Sequence, residues 1–195
     1  MGRFVLCCHG PSLTQGHEDS RRDLMGTKRT SLATIGYESA DLADFIATLR
    51  AAGVRRIIDV RELAISRRKG FAKRALSAAL QNAGISYVHL RGLGDPKEGR
   101  EAARAGDVER FRRVFVSHMR SDAAQADLRK ASDLVTEGGA CLLCFERDHS
   151  ACHRSIVAEA ICGNIRTSIR HLGVRTGLAS RRNEIEANEF AEERA

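Results

Sequence analysis

Apolar positions along the chain fall into short runs that switch between two periods. Ser31-Leu-Ala-Thr-Ile35 predicts a buried strand stopped by Gly36. Ser39 is placed to cap a helix whose apolar face, Leu42, Phe45, Ile46 and Leu49, recurs at helical spacing and ends near Gly53. Val54–Val60 predicts a second strand, residues 72–83 a short helix closed by Gly84, and Ile85–Leu90 a third strand. In that third run Ile85, Tyr87 and His89 alternate against Ser86, Val88 and Leu90. A long loop through Gly92, Gly94, Pro96 and Gly99 precedes helical patterns at 107–119 (Val108, Phe111, Val114, Phe115, His118) and at about 122–136. Ala140-Cys-Leu-Leu-Cys-Phe145 is apolar without alternation, as in a central parallel strand covered on both faces. A helix over 151–162 and a short strand Ile169–Leu172 complete the pattern.

Strands alternating with helices predict an α/β fold: three layers, a mostly parallel sheet of four to five strands, and helices on both faces joined by right-handed crossovers. The expected order is 3-2-1-4-5, which leaves a crevice beyond the carboxyl ends of the first and fourth strands. Residues 31–172 carry this single domain. Residues 1–30 are rich in Gly, Ser, Thr, Asp, His and Arg and show no period, so a disordered or non-native N-terminal extension is expected, with Met25 as the alternative start. Residues 173–195 hold four Arg and five Glu with little apolar content and are expected to form a charged tail.

A length of 195 residues fits one domain plus tails and is enough to bury a core. No apolar run approaches the roughly 20 residues that cross a bilayer, and Phe4 to Cys8 is too short for a signal-peptide core. No membrane partner and a cytoplasmic location are therefore expected. The net charge is +7, and residues 50–75 hold nine basic side chains against Asp59 and Glu62 alone. Such a cluster suits a phosphate-bearing molecule or nucleic acid, or else is a solvated Arg-rich face. Seven Phe, two Tyr and no Trp argue against a stacking platform for single strands. The six cysteines are expected as reduced thiols.

The inferred crevice gathers Tyr37 and Glu38 after the first strand, and Asp59, Arg61 and the loop Ser66-Arg67-Arg68-Lys69-Gly70 after the second. The fourth strand delivers Cys144 and Glu146, which share a face by alternation, and the last helix opens with Cys152, His153 and Arg154. Cys152, Glu146, Cys144 and His153 are the expected carriers of chemistry. At a helix N-terminus beside His153 and Arg154, Cys152 reads as a nucleophile of lowered pKa, as a packed small hydrophobe, or as a redox partner of Cys144. Tyr37, Glu38, Asp59, Arg61, Ser66, Arg67 and Arg154 are expected to bind the ligand, with Ser66–Gly70 as a phosphate clamp. Asp59 beside Arg61 also reads as an ion pair.

Cys141-x-x-Cys144 followed by Cys152-His153 offers four soft ligands. Cys141 and Cys144 nevertheless project to opposite faces of a strand, and no spacing matches a standard zinc knuckle. No metal ligand is assigned and no cofactor is expected, Cys141 being read as a buried, inert thiol. Neither a Walker loop nor a dinucleotide fingerprint is present, and His89 and His171 read as structural.

An ordered set of strings resembles the bacterial domain-of-unknown-function family 488. They are Thr34-Ile-Gly-Tyr-Glu38, Ile58-Asp-Val-Arg61, Ser66-Arg-Arg-Lys-Gly-Phe71, Gly84-Ile-Ser-Tyr-Val-His-Leu90, Gly94-Asp-Pro-Lys-Glu-Gly-Arg100, Leu142-Leu-Cys-Phe-Glu-Arg147, Cys152-His-Arg-Ser-Ile-Val-Ala-Glu159 and His171-Leu172. The resemblance spans roughly residues 31–172. It implies the α/β fold and supplies no substrate. One departure is Ala64, where such sequences usually place a proline, which leaves the loop after the second strand less constrained. Two functional classes follow. One is a domain that binds or processes a phosphate-bearing ligand, such as a nucleotide or nucleic acid, in a Cys/Glu/His/Arg pocket. The other is a non-catalytic module that binds nucleic acid or protein through residues 50–75 and helix 107–119. Glu38, Asp59 and Glu146 among the rim cations favour the pocket.

Overall fold

The computed structural model describes residues 30–165 and 167–182; the expectations for residues 1–29 and for the end of the tail lie outside the described residues. Five strands form one all-parallel sheet: β1 Ser31–Gly36, β2 Arg56–Asp59, β3 Ser86–His89, β4 Ala140–Cys144 and β5 Ser168–Leu172. Six α-helices connect them: α1 Leu42–Ala51, α2 Lys73–Asn82, α3 Lys97–Arg104, α4 Val108–His118, α5 Asp122–Thr136 and α6 His153–Asn164. No described helix is long and apolar enough to cross a membrane.

Alternation along the strands divides the core in two. Leu32, Ile58, Val60, Leu142 and Cys144 face α3, α4, α5 and α6, where Phe111, Phe115, Leu128 and Val157 cover them. Ala33, Ile35, Ile57, Cys141 and Leu143 face α1 and α2, under Phe45, Leu49, Leu76 and Leu80. The expected separation of Cys141 from Cys144 is thus observed, and burial raises the Cys141 thiol far above its ordinary pKa.

The strand order is β3-β2-β4-β1-β5, a correction to 3-2-1-4-5. β4 lies between β2 and β1, pairing Arg56 with Ala140 and Ala33 with Cys141. The unbroken apolar run of β4 fits the central place it takes, whereas β1 includes Ser31 and Thr34; the expected order set β4 one place too far from β2. The consequence is functional: the carboxyl end of β4 has Val60 of one neighbour and Gly36 of the other beside it.

Three local features also differ from expectation. The cap of α1 is Asp41 rather than Ser39; its Oδ1 accepts from the amides of Ala43 (2.7 Å) and Asp44 (3.3 Å), while Ser39 occupies the preceding turn at φ 59°. The expected loop after β3 contains a 3-10 turn at Arg91–Leu93 and helix α3. Only Gly99 and Ala102 of α3 are buried, so its inward stripe consists of small residues that carry no hydrophobic signal. Beyond β5, the chain stays on the domain: the Arg175 amide donates to Thr48 Oγ1 (3.0 Å), and those of Gly177 and Ala179 donate to the Asp44 carboxylate (2.7 and 2.9 Å).

Candidate functional site

Past the end of β4 the chain turns sharply and returns as α6, which brings four functional groups together on the α6 face. The sulfurs of Cys144 and Cys152 lie 2.9 and 3.0 Å from one oxygen, Oε2 of Glu146. Nδ1 of His153 lies 3.7 Å from the Cys144 sulfur and 4.0 Å from that of Cys152. All of these atoms fall within 4.8 Å of one another. The other ring nitrogen, Nε2, is 2.9 Å from the carbonyl of Val60. A carbonyl only accepts, so Nε2 carries the proton in that contact; Nε2 also lies 3.9 Å from the Cys144 sulfur, and Nδ1 is the nearer of the two.

The surroundings fix this arrangement. Gly36, at the end of β1, packs so closely that a Cβ there would stand 1.7 Å from the carbonyl oxygen of Glu146. Arg154 is buried beneath the turn, donating through Nη1 to the Glu146 carbonyl and through Nη2 to that of Arg147 (3.0 Å). Glu38 Oε2 accepts from the Arg147 amide at 3.0 Å, and the ring of Phe115 lies 5.2 Å from that of His153. Asp95, 6% exposed, has an unpartnered Oδ1; burial pushes its carboxyl up to about 6 against the pull of His153 and Arg100.

Electrostatics here run opposite to the expectation for Cys152. That residue caps α6, with the Arg154 amide 3.5 Å from its sulfur, but it is only 3% exposed. Burial, reinforced by Cys144, raises its thiol well above the ordinary value, and burial together with Glu146 raises Cys144 as well. The lowered pKa of a solvent-reached nucleophile is therefore not what this environment produces. Burial opposes the charge of Glu146, but the two S–H donors hold its carboxyl below the usual range. Burial likewise opposes a charged His153, and Cys152, the Val60 carbonyl and Glu146 outweigh it, lifting the imidazole to about 9.

The remaining expected ligand residues do not join this group. Asp59 and Arg61 lie on the α1/α2 side of the sheet as a buried pair, with Arg61 Nε 2.9 Å from Oδ1 and Nη2 2.6 Å from Oδ2. Arg61 Nη1 donates to the Tyr37 hydroxyl (2.8 Å) and the Phe71 carbonyl (3.0 Å), which leaves one of its five N–H groups. The Tyr87 hydroxyl donates to Asp59 Oδ2 at 2.5 Å, and the Tyr37 ring stacks on Phe71 at 4.4 Å. Arg61 and Arg154 thus serve separate sets of partners, and no clamp forms from the two. Ser66 Oγ accepts from the Arg68 amide (3.1 Å), shaping its loop rather than facing outward as a donor. Arg67, Lys69 and Arg147, in loops at the carboxyl edge of the sheet, have exposed side chains without a partner among the described residues. His89 and His171 are hydrogen-bonded, to the Arg61 carbonyl (2.8 Å) and Thr34 Oγ1 (2.8 Å).

Sequence reasoning missed Asp95, Tyr87 and the Val60 carbonyl. The alternation of β3 pointed to Tyr87; nothing in the residue pattern signals a carbonyl or a carboxylate inside a glycine-rich loop.

Among known protein families, the model described as domain of unknown function DUF488 matches residues 41–161. No curated protein and no solved structure matches the chain.

Proposed function

The chain belongs to the family described as domain of unknown function DUF488, and because that description carries no activity, we propose a function from the geometry: the domain binds and processes a phosphate-bearing ligand over the carboxyl edge of β4, with Cys144, Glu146, Cys152 and His153 as its working centre. The observation that carries this reading is the gathering of two thiols, a carboxylate and an imidazole within 4.8 Å at the end of the central strand. Ligand crevices of open α/β sheets lie in that position, where the crossovers of β1 and β4 leave on opposite faces. Burying four such groups together costs stability, since S–H is a weak donor and compensates a carboxylate poorly, and a functional role accounts for keeping them there. Arg67, Lys69 and Arg147 supply unpaired positive charge on the same edge.

The basic-module reading rests on a different observation. Lys73, Arg74, Ser77, Gln81, Tyr87 and His89 line a groove of about 640 Å³ between α2 and β3, and Arg112, Arg113 and Arg120 line another on α4. Thermal shift with a 5′-nucleoside monophosphate separates the two. The pocket reading expects stabilisation of the parent by mass action, lost when Arg67, Lys69 and Arg147 are changed together to Ala and altered by Glu146→Gln. A response untouched by those variants and removed by Lys73→Ala with Arg74→Ala, or by Arg112→Ala with Arg113→Ala, gives the function to the basic face.

A further inference from the structure

We infer that Cys144, Cys152, His153 and Glu146 form a binding site for one borderline-soft divalent metal ion of the zinc class. The inference rests on the same cluster being the working centre and names what that centre holds.

The donor set selects the ion. Two sulfurs and an imidazole nitrogen suit zinc or its neighbours in the transition series, and disfavour magnesium and calcium, which take oxygen. Glu146 brings the set to four, the number of a tetrahedral site. Around such an ion, sulfurs at about 2.3 Å and nitrogen and oxygen at about 2.0 Å put neighbouring ligand atoms roughly 3.5–3.8 Å apart. The sulfur–nitrogen separations of 3.7 and 4.0 Å lie within about half an ångström of that spacing. The sulfur–oxygen separations of 2.9 and 3.0 Å are shorter, so the carboxylate retreats by about half an ångström, a single torsion for a half-buried side chain.

Two further observations point to a cation. One feature of ligating histidines is present: Nε2 donates to a carbonyl, Val60, which leaves Nδ1, the ring nitrogen nearer the sulfurs (3.7 Å from that of Cys144, against 3.9 Å for Nε2), to ligate. Asp95, more than nine-tenths buried with Oδ1 unpartnered, adds negative charge that acts on His153 and Glu146. Glu62, paired with Arg100 and Arg91, and Glu38, which accepts from the Arg147 amide, are further carboxylates on the same edge. Binding breaks two S–H bonds and the Nδ1–H bond of the imidazolium; two metal–sulfur bonds, one metal–nitrogen bond and one metal–oxygen bond form, and all three protons leave to solvent.

The test uses the full chain, stripped with a chelator and reloaded. Zinc titration against a chromophoric competitor is expected to give one equivalent per chain, and Cys144→Ser with Cys152→Ser none, while Cys162→Ser keeps the full equivalent. Cobalt loading gives a second reading: a sulfur-to-cobalt charge-transfer band with tetrahedral visible absorption in the parent, and a shifted visible spectrum with the band retained in Glu146→Gln, which keeps both thiols and the side-chain shape should the double variant fail to fold. No bound zinc in the parent, a cobalt spectrum without sulfur charge transfer, or a Cys144–Cys152 disulfide that persists in zinc-containing buffer overturns the inference. Its failure is distinct from that of the functional reading. A metal-free centre whose Glu146→Gln variant still alters the nucleotide response removes the metal alone; a loaded centre whose variants leave that response untouched removes the function alone.

Discussion

His153 donates its Nε2–H to the carbonyl of Val60 at 2.9 Å, so a residue of α6 is oriented by the strand next to β4 rather than by its own element. This contact exists because β4 displaced β1 from the side of β2. With β1 beside β2, Val60 would adjoin Gly36, and the imidazole would lose the partner that holds its Nε2.

The Asp59–Arg61 pair is a stabilising element of the α1/α2 face. Arg61→Met leaves the Asp59 carboxylate buried without its partner and is expected to cost about 3–5 kcal/mol in chemical denaturation. A loss below about 1 kcal/mol, the scale of an exposed pair, would contradict that role.

Thiol reactivity follows burial. Iodoacetamide at pH 7 is expected to label Cys162, the one thiol of residues 141–162 that is not buried, before Cys141, Cys144 and Cys152, with all four labelled in denaturant. Peptide mass spectrometry reads the order; first labelling at Cys152 would show a solvent-reached thiolate and restore the nucleophile reading.

Asp44 ties residues 177–179 to α1, and those backbone N–H donors hold its carboxyl below the ordinary value of 3.8. A lowered folded-state pKa gives stability that is present above 3.8 and lost as pH falls through the lower folded value. Asp44→Asn is therefore expected to melt below the parent at pH 5–7, roughly, with the gap closing in strong acid. A chain ending at Leu172 should show the same loss at neutral pH; melting like the parent would mean that residues 173–182 contribute nothing.

Asp95 carries the opposite sign. Its carboxyl, pushed up to about 6, binds its proton more tightly in the folded protein than in the unfolded chain, so this group costs stability progressively as pH rises from 3.8 to about 6. Asp95→Asn lacks that slope and is expected to gain relative stability above pH 6, read from melting temperatures across the range. Parallel curves for the two proteins would contradict an ionisable, unpaired Asp95.

Much of the fold was legible because β1, β4, α1, α4 and α5 carry unbroken apolar periods. Helix α3 was not, since glycine and alanine fill its buried stripe. The clustering of Cys144, Glu146, Cys152 and His153 was legible for a local reason: two-residue alternation joins Cys144 to Glu146, and the helix start adds Cys152 and His153. The separation of the other rim residues from that cluster was not, because a rim read along the sequence has no sides. Asp59 and Val60 are consecutive and therefore project to opposite faces. Asp59 takes Arg61 and Tyr37 into the α1/α2 core, while the Val60 backbone serves the cluster on the other face.

Amide chemical-shift mapping of the full chain titrated with a 5′-nucleoside monophosphate tests the placement of function at the end of β4 most directly. The largest shifts are predicted at residues 67–70, 91–92, 145–148 and 152–153, around the Cys144–Glu146–Cys152–His153 cluster. Shifts concentrated instead on Lys73–Gln81 or on Arg112–Arg120, with the cluster unmoved, would contradict it and assign binding to the basic grooves.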